Sequence, residues 1–513
     1  PSAQDGVPEA RSGIRRRLET LGSSDRFWGW FAPLIVTAVG GFVRFWHLER
    51  PPRLNFDEAY YVRQAYSMIK YGFEMRLIGD DEKAVGLWNS GKVDQVWDTQ
   101  AGADMVVHPP LGKWMIAVGQ LIGDPTDPVA WRFSVALCGT LSILMLARIA
   151  RRLFSSTLLG TVAGLLLAVD GHHFTHSRTA LLDLFLMFWV LAGFGCLLID
   201  RDRARAALDR HLAAGNTPTW RHLPRTWWIR PWRMTAGLCF GLATGVKWSG
   251  IFFLAGYALA SLLWDLATLR RHDIATPAVN LIPQGSVAFL TTIPAALAAY
   301  LATWTGWFAT RDGYHRQWST DNPGLPGWLP DTAASHALRS LWQYHKDAWN
   351  FHVGVTSPHP WEANPWSWIV QGRPTMFWLD NAVKGCGSSS CTEASVNLGT
   401  PTIWWGGTVA VAVLLFCWAL RRDWRAGAIL AGLAAGYLPW FHYQERTIFG
   451  FYAIAFTPWL VLAVSYTLGL VLGPRDASPD RQFRGAVWAG GFVLLSVLLF
   501  AYFHPVLAAD SIP

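Results

Sequence analysis

The chain has 513 residues, 52% of them hydrophobic and only 15% charged, against about 25% charged in ordinary soluble domains. Its net charge of +8 would point to nucleic acid in a soluble protein. That reading loses its force because the apolar residues are gathered into blocks. Phe27–Val43, Leu184–Ile199, Ile403–Leu420 and Ala486–Phe503 each run fifteen or more residues without a charge. A hydrocarbon core of ~30 Å takes ~20 apolar residues in a helix, and backbone groups in lipid must be satisfied within their own segment. One soluble core could mimic one such block, but not the whole series.

In chain order, the hydropathy predicts about eleven transmembrane helices, near 28–47, 131–148, 157–174, 179–199, 233–247, 250–269, 284–305, 402–420, 426–441, 450–472 and 485–503. Residues 1–27 read as an N-terminal tail. Arg15, Arg16 and Arg17 precede a segment long enough to span, with no small-residue cleavage site after it, so a signal peptide is not expected. The basic residues then sort onto alternate loops. Arg148, Arg151 and Arg152 share one, and Arg201–Arg233 holds eight arginines and two acids. Arg270 and Arg271, Arg421, Arg422 and Arg425, and Arg475, Arg481 and Arg484 mark three more. The positive-inside rule makes these loops cytoplasmic, with the N-terminus inside and the C-terminus outside. Met234–Leu269 is too long for one crossing, since 36 residues make ~54 Å of helix. A hairpin at Lys247-Trp248-Ser249-Gly250 resolves the length and places Lys247 at the outer surface.

Two long regions do not span, 49–130 and 306–400, and both fall outside. Ala59–Phe73 has the periodicity of an amphipathic surface helix, and Trp114–Ile122 is apolar but too short to cross. Cys138, Cys196, Cys239 and Cys417 lie in spans as small apolar residues. Cys386 and Cys391 lie five apart in the second outer loop. They read as a disulfide, the alternative of a zinc pair lacking two further ligands.

Residues able to carry chemistry gather on the outer side. Asn55-Phe56-Asp57-Glu58 offers adjacent carboxylates for a general base and an acceptor contact; the same residues also match a capping box. In His108-Pro109-Pro110-Leu111-Gly112-Lys113 the prolines fix a corner, and Lys113 could meet phosphate or simply snorkel. Arg178 and Asp183 open a span, where ionisable groups point to function. Lys247, Arg132 and Arg446 sit at outer helix ends, as suits either a lipid phosphate or snorkelling. Asp170 with His172, His173 and His176 suggests a metal or an ordinary polar boundary. Trp366, Gln371 and Arg373 suit carbohydrate or extended peptide, or belong to an interfacial aromatic belt.

The order of these clusters resembles the protein O-mannosyltransferase family. The likeness runs through Asn55–Glu58, His108–Lys113, Ser177-Arg178 to Asp183, and Val246-Lys247-Trp248, over about Phe42 to Phe456. Trp366-Ser367-Trp368, Gly372-Arg373-Pro374, the Cys386/Cys391 pair and Pro439-Trp440-Phe441 with Arg446 are most similar to its actinobacterial branch. The resemblance implies an all-α polytopic membrane protein with the GT-C glycosyltransferase fold, its catalytic domain spanning 28–513. It implies mannose transfer from polyprenyl-phosphate-mannose to Ser or Thr hydroxyls of secreted proteins, with inversion, at the outer face of a bacterial plasma membrane. Asp57 would be the base and Glu58 would hold the acceptor. Arg132, Lys247 and Arg446 would bind the donor phosphate. His108, Lys113, Arg178, Asp183, Trp366, Gln371 and Arg373 complete the expected site. Eukaryotic members carry an extra domain in the second outer loop, for which 306–400 has no room. No cofactor or metal is implied beyond the lipid-linked donor. The expected partners are that donor, secreted acceptor polypeptides, membrane lipid and the secretion translocon, with no nucleic acid. Two competing readings are a GT-C enzyme acting on a lipid or cell-wall glycan, and a lipid or solute transporter. Against the transporter, no inverted repeat is visible and the ionisable residues gather at one face.

Overall fold

The computed structural model describes residues 27–513 except 217, 218, 220, 221, 275, 325, 327 and 475. The N-terminal tail with Arg15, Arg16 and Arg17 lies outside the described residues, as does Arg475. All eleven expected segments are helical: α1 (Trp28–Phe45), then, after three helices of the first loop, α5 (Pro128–Phe154), α6 (Thr157–Ala168), α8 (Leu182–Ala213), α9 (Pro231–Val246), α10 (Gly250–Arg271), α11 (Pro277–Thr303), α15 (Pro401–Arg421), α16 (Trp424–Tyr437), α17 (Thr457–Leu472) and α18 (Pro479–Ala508). Eight of these, α17 together with the 3-10 turns Gly450–Phe456 before it, are long and apolar enough to cross a membrane. The other three, α6, α9 and α16, have 12, 16 and 14 residues.

The ends of these helices follow from local chemistry. Asp127, Ser156 and Asp423 accept backbone N–H groups at the starts of α5, α6 and α16, satisfying donors a helix start leaves free. The expected span over 157–174 breaks at Asp170, whose carboxylate caps a separate short helix, α7 (Gly171–His176). The hairpin expected at Lys247–Gly250 lies between α9 and α10, where the Lys247 N–H closes the last turn on the Ala243 carbonyl.

The first long loop, 49–130, holds α2 (Glu58–Tyr71), α3 (Asp81–Asn89) and α4 (Leu111–Ile122). Helix α2 does not lie free on a surface: Tyr61, Val62, Ala65 and Met68 are buried. It packs on α4, which packs in turn on α5. In the second loop α12 (Thr305–Ala309), α13 (Trp318–Asp321) and α14 (Ala333–Gly354) precede two antiparallel strands, β1 (Thr375–Val383) and β2 (Cys391–Asn397). A short β3 (Ser511–Ile512) adds to β2 from the C-terminal end. This sheet qualifies the all-α expectation. Hydropathy reads blocks of ~20 residues and carries no signal for strands this short. Cys386 and Cys391 are disulfide-bonded where β1 turns toward β2.

Two devices hold the bundle. Helices α9 and α11 approach along Gly237, Gly241 and Gly245, where a Cβ at Gly241 would lie 2.2 Å from the Ala296 carbonyl oxygen. Small residues at four-residue spacing let helix backbones touch in membranes. At the far end, Arg230 and Arg233 of the α9 region meet Asp200 of α8 and Asp265 of α10, all buried, at N–O distances from 2.6 to 3.4 Å. The four charges sum to zero and join three helices.

The close approach at Gly241 is testable. Gly241→Ala should cost about 1–3 kcal/mol, as overpacked cores do. Gly490→Ala in α18, where a Cβ meets nothing within 4 Å, should be neutral. Thermal unfolding in detergent would measure both, and equal melting temperatures would contradict the packing.

Candidate active site

The loop between α1 and α2 places the candidate base. Phe56 adopts a left-handed backbone (φ 46°), which costs an L-residue roughly 1–2 kcal/mol. Its ring packs against Phe377, Phe449 and Phe451 at centroid distances of 5.0–6.2 Å. That cluster holds the turn that presents the next residue, Asp57, to a cavity of about 650 Å³. The Tyr61 hydroxyl, one helical turn on, donates to Asp57 Oδ2 at 3.4 Å. Burial raises the Asp57 carboxyl, and Asp183 adds to this. Lys247 and the Tyr61 hydrogen bond oppose the shift, leaving the group at about 6.

The cavity brings together Asp57, His108, Asp183, Lys247 and Arg446 from five separate stretches of the chain. Lys247 Nζ donates to Asp183 Oδ2 at 2.7 Å and lies 5.1 Å from the Tyr452 ring centroid. Arg446 makes no ion pair among the described residues, and its buried Nε has no partner there. Burial, with Lys247 and His352 nearby, pushes His108 well below the ordinary imidazole range. It is therefore neutral at physiological pH. Its ring lies 5.2 Å from that of His352, and Trp248 lies 5.6 Å beyond. Through Trp248, Ile251 and Trp349 the cavity meets a second recess of about 610 Å³ between α9, α10, α11 and α14. That recess is walled by Leu254, Ile293, Ala296 and Leu297 and edged by Lys346.

Other expected site residues stand elsewhere, and their partners explain why. Glu58 and Arg132 are fully buried, and they face each other rather than the cavity. Glu58 accepts from Arg132 Nε and Nη2, both at 2.8 Å, and from the N–H groups of Ala180 at 2.8 Å and Asn55 at 3.1 Å. Arg132 donates as well to the carbonyls of Leu48, Pro51 and Arg53. Arg132, expected at the donor phosphate, and Glu58, expected at the acceptor, are thus engaged with each other and do not line the cavity. The capping box is half formed: Glu58 reaches back to Asn55, while the Asn55 side chain caps nothing.

Lys113 is buried in an ion pair with Glu74 and donates to the His108 carbonyl at 3.1 Å. It holds the histidine's loop from behind and does not line the cavity. Arg178 donates to the carbonyls of Arg44 and Trp46 at 2.9 and 2.6 Å, closing the end of α1. Trp366 packs on Phe441, Gln371 accepts from the Gly399 N–H, and Arg373 donates to the Pro360 carbonyl. None of the three lines the cavity. His173 bonds Arg44 and Ser142, His176 bonds the Phe451 carbonyl, and the His172 ring packs tilted against Trp404 at 4.9 Å. Trp440, from the Pro439-Trp440-Phe441 motif, lines the cavity, whereas Tyr61, His352 and Tyr452 are cavity or near-cavity residues that sequence reasoning missed. Tyr61 was within reach, lying four residues from Asp57 on one helix face; the others carry no local mark.

Residues 99–310 match the family model of dolichyl-phosphate-mannose-protein mannosyltransferase, and 337–513 match the C-terminal four-transmembrane region of protein-O-mannosyltransferase. A polyprenol-phosphate-mannose–protein mannosyltransferase of Mycolicibacterium smegmatis is 36% identical over 99% of this chain and 95% of its own. The chain belongs to the protein O-mannosyltransferase family. A family member from Mycobacterium tuberculosis is 36% identical over 98% of this chain and 92% of its own, and one from Corynebacterium glutamicum is 30% identical over 89% and 85%. The fold is GT-C. The Saccharomyces cerevisiae protein O-mannosyltransferase Pmt1-Pmt2 complex bound to the sugar donor superposes with a TM-score of 0.69 at 15% identity, covering 97% of this chain and 92% of that one. The Archaeoglobus fulgidus oligosaccharyltransferase follows at 0.53 and 15% identity, covering 95% and 57%. This mannosyltransferase is a multi-pass membrane protein.

The buried pair makes a clear prediction. Glu58→Ala and Arg132→Ala should each destabilise by about 3–5 kcal/mol, because each strands a buried charge. The double variant should lose less than the sum. Unfolding in detergent micelles checks this. A stable Glu58→Ala protein with only a raised peptide KM would return Glu58 to acceptor binding.

Proposed function

We propose that this chain transfers mannose from polyprenyl-phosphate-mannose to Ser or Thr hydroxyls of secreted polypeptides, inverting the anomeric carbon. One arrangement carries the reading: Asp57 shares a cavity with Lys247 and Arg446, and that cavity meets an apolar groove. A lipid phosphate needs cations beside it and hydrocarbon contact behind it, and a serine hydroxyl needs a base. In the reaction, Asp57 takes the hydroxyl proton as the oxygen attacks C1 of the mannose. The C1–O bond to phosphate breaks on the opposite face, and its electron pair leaves with the lipid phosphate. Lys247 and Arg446 stabilise that charge in place of a protonating acid.

Asp183 holds Lys247 at 2.7 Å, which limits the lysine's wandering toward Asp57. Neutral His108 and the rings of Trp248 and His352 form the wall where the sugar would stack. The orientation that fits places this cavity on the outer face of a bacterial plasma membrane, where a translocon delivers unfolded acceptors and the basic loops stay inside.

Asp57→Asn should fold, bind donor normally and lose at least ~10²-fold in transfer to a peptide. A variant that mannosylates peptide at close to the parent rate would remove Asp57 from the mechanism. The pH profile follows from its raised carboxyl. A base must be unprotonated, so kcat/KM should rise with pH through about 6 and level off above it. Asp57→Asn should lack that rising limb. Lys247→Gln and Arg446→Gln should each weaken donor binding by ~10–10²-fold, as the loss of a charge-assisted contact does. Peptide KM should change little, and titration with labelled donor separates the two.

A further inference from the structure

A separate recess opens at the other end of the bundle. It occupies about 760 Å³ among α1, α5 and α8. Helix α5 carries Arg132, beside the loop of Asp57, and sixteen residues later Arg148, at the recess. At 1.5 Å per residue the two ends are about 24 Å apart, so this recess lies across the membrane from the mannosyl-transfer cavity. Arg148, Arg151 and Arg152 line its rim with one acid, Asp202, a net charge of +2 from three arginines less one aspartate. The guanidinium groups are held in place. Arg148 lies 3.8 Å over the Trp30 ring and donates to the Gly29 carbonyl, Arg151 Nε donates to Thr157 Oγ1 at 2.9 Å, and Arg152 donates to Asp202 at 2.7 Å. Beyond the rim the wall is apolar, built from Met145, Ile149 and Ala192.

We propose that this recess is a binding site for an anionic phospholipid, with its phosphodiester at the arginine rim and an acyl chain along the apolar wall. Charge complementarity selects the occupant. The rim carries a surplus of fixed donors suited to phosphate, and basic pockets between spanning helices attract anionic headgroups. The arginine pair at Arg230 and Arg233 makes the contrast, because Asp200 and Asp265 neutralise it internally. A zwitterionic lipid brings its own cation to the rim, and a soluble anion leaves the wall wet.

Native mass spectrometry of the full chain released from detergent, with phosphatidylglycerol or phosphatidylcholine of identical acyl chains, tests the site. The parent should retain phosphatidylglycerol at least about tenfold better, and inorganic phosphate should not displace it. Arg152→Gln, an exposed and conservative change, should cut that preference severalfold. Arg148→Gln with Arg152→Gln should bring it near parity. Ala192→Phe keeps every arginine and fills the wall, so it should lose the bound lipid. Should the double variant fail to fold, Arg152→Gln and Ala192→Phe decide. Equal retention of the two lipids, displacement by phosphate alone, or a preference unchanged in Arg152→Gln and Ala192→Phe would each overturn the site. Peptide mannosylation by Arg152→Gln in lipid-free detergent should match the parent.

Discussion

The contact between Glu58 and Arg132 governs how the cavity end of this enzyme is arranged. It joins the first residue of α2 to the first turns of α5, and through the Ala180 N–H it reaches the start of α8. Arg132 also gathers three carbonyls of the loop before Asp57. A charge pair with no exposure is costly to assemble, and it is retained when its geometry satisfies every donor and acceptor. Here the return is positional. Asp57 precedes Glu58 by one residue, so this bond sets where Asp57 stands at the cavity.

The same division of labour recurs around the cavity. Lys113 is spent on Glu74 and the His108 carbonyl, and Arg178 on the end of α1. Asp183 is spent on Lys247. Ionisable groups near membrane depth are read as functional by default, yet most of those here serve to orient a few that face the cavity. What separates the two sets is where the partner lies. Lys247 and Arg446 open on the cavity, while Arg132 has its acceptors behind it.

This explains what the sequence could and could not disclose. Spans are legible because each ~20-residue block carries its own hydropathy, and the Lys247 hairpin follows from length alone. The motif order that led to Asp57, Lys247 and Arg446 is also local. The partner of Arg132 lies 74 residues away and that of Lys113 lies 39 away, so no window along the chain could show that both were already engaged. Capping logic anticipated the Glu58 bond to Asn55, but one hydrogen bond could not reveal the other three. The hairpin of β1 and β2 escaped because its strands are too short to mark a hydropathy block, and β3 because it comes from the far end of the chain.

The charge tetrad of Asp200, Arg230, Arg233 and Asp265 bears on how the protein is made. Of the four, Asp200 emerges from the ribosome first, where the apolar stretch of α8 gives way to its charged end. Its first partner follows 30 residues later, and Asp265 comes a further 35 residues behind Arg230. Between those moments the tetrad is one charge positive, two arginines against a single aspartate, on top of the other arginines of that loop. A surplus of that sign holds the helix ends on the side where synthesis occurs. The arrival of Asp265 on α10 completes the neutralisation of the tetrad, so the order of synthesis and the order of neutralisation coincide.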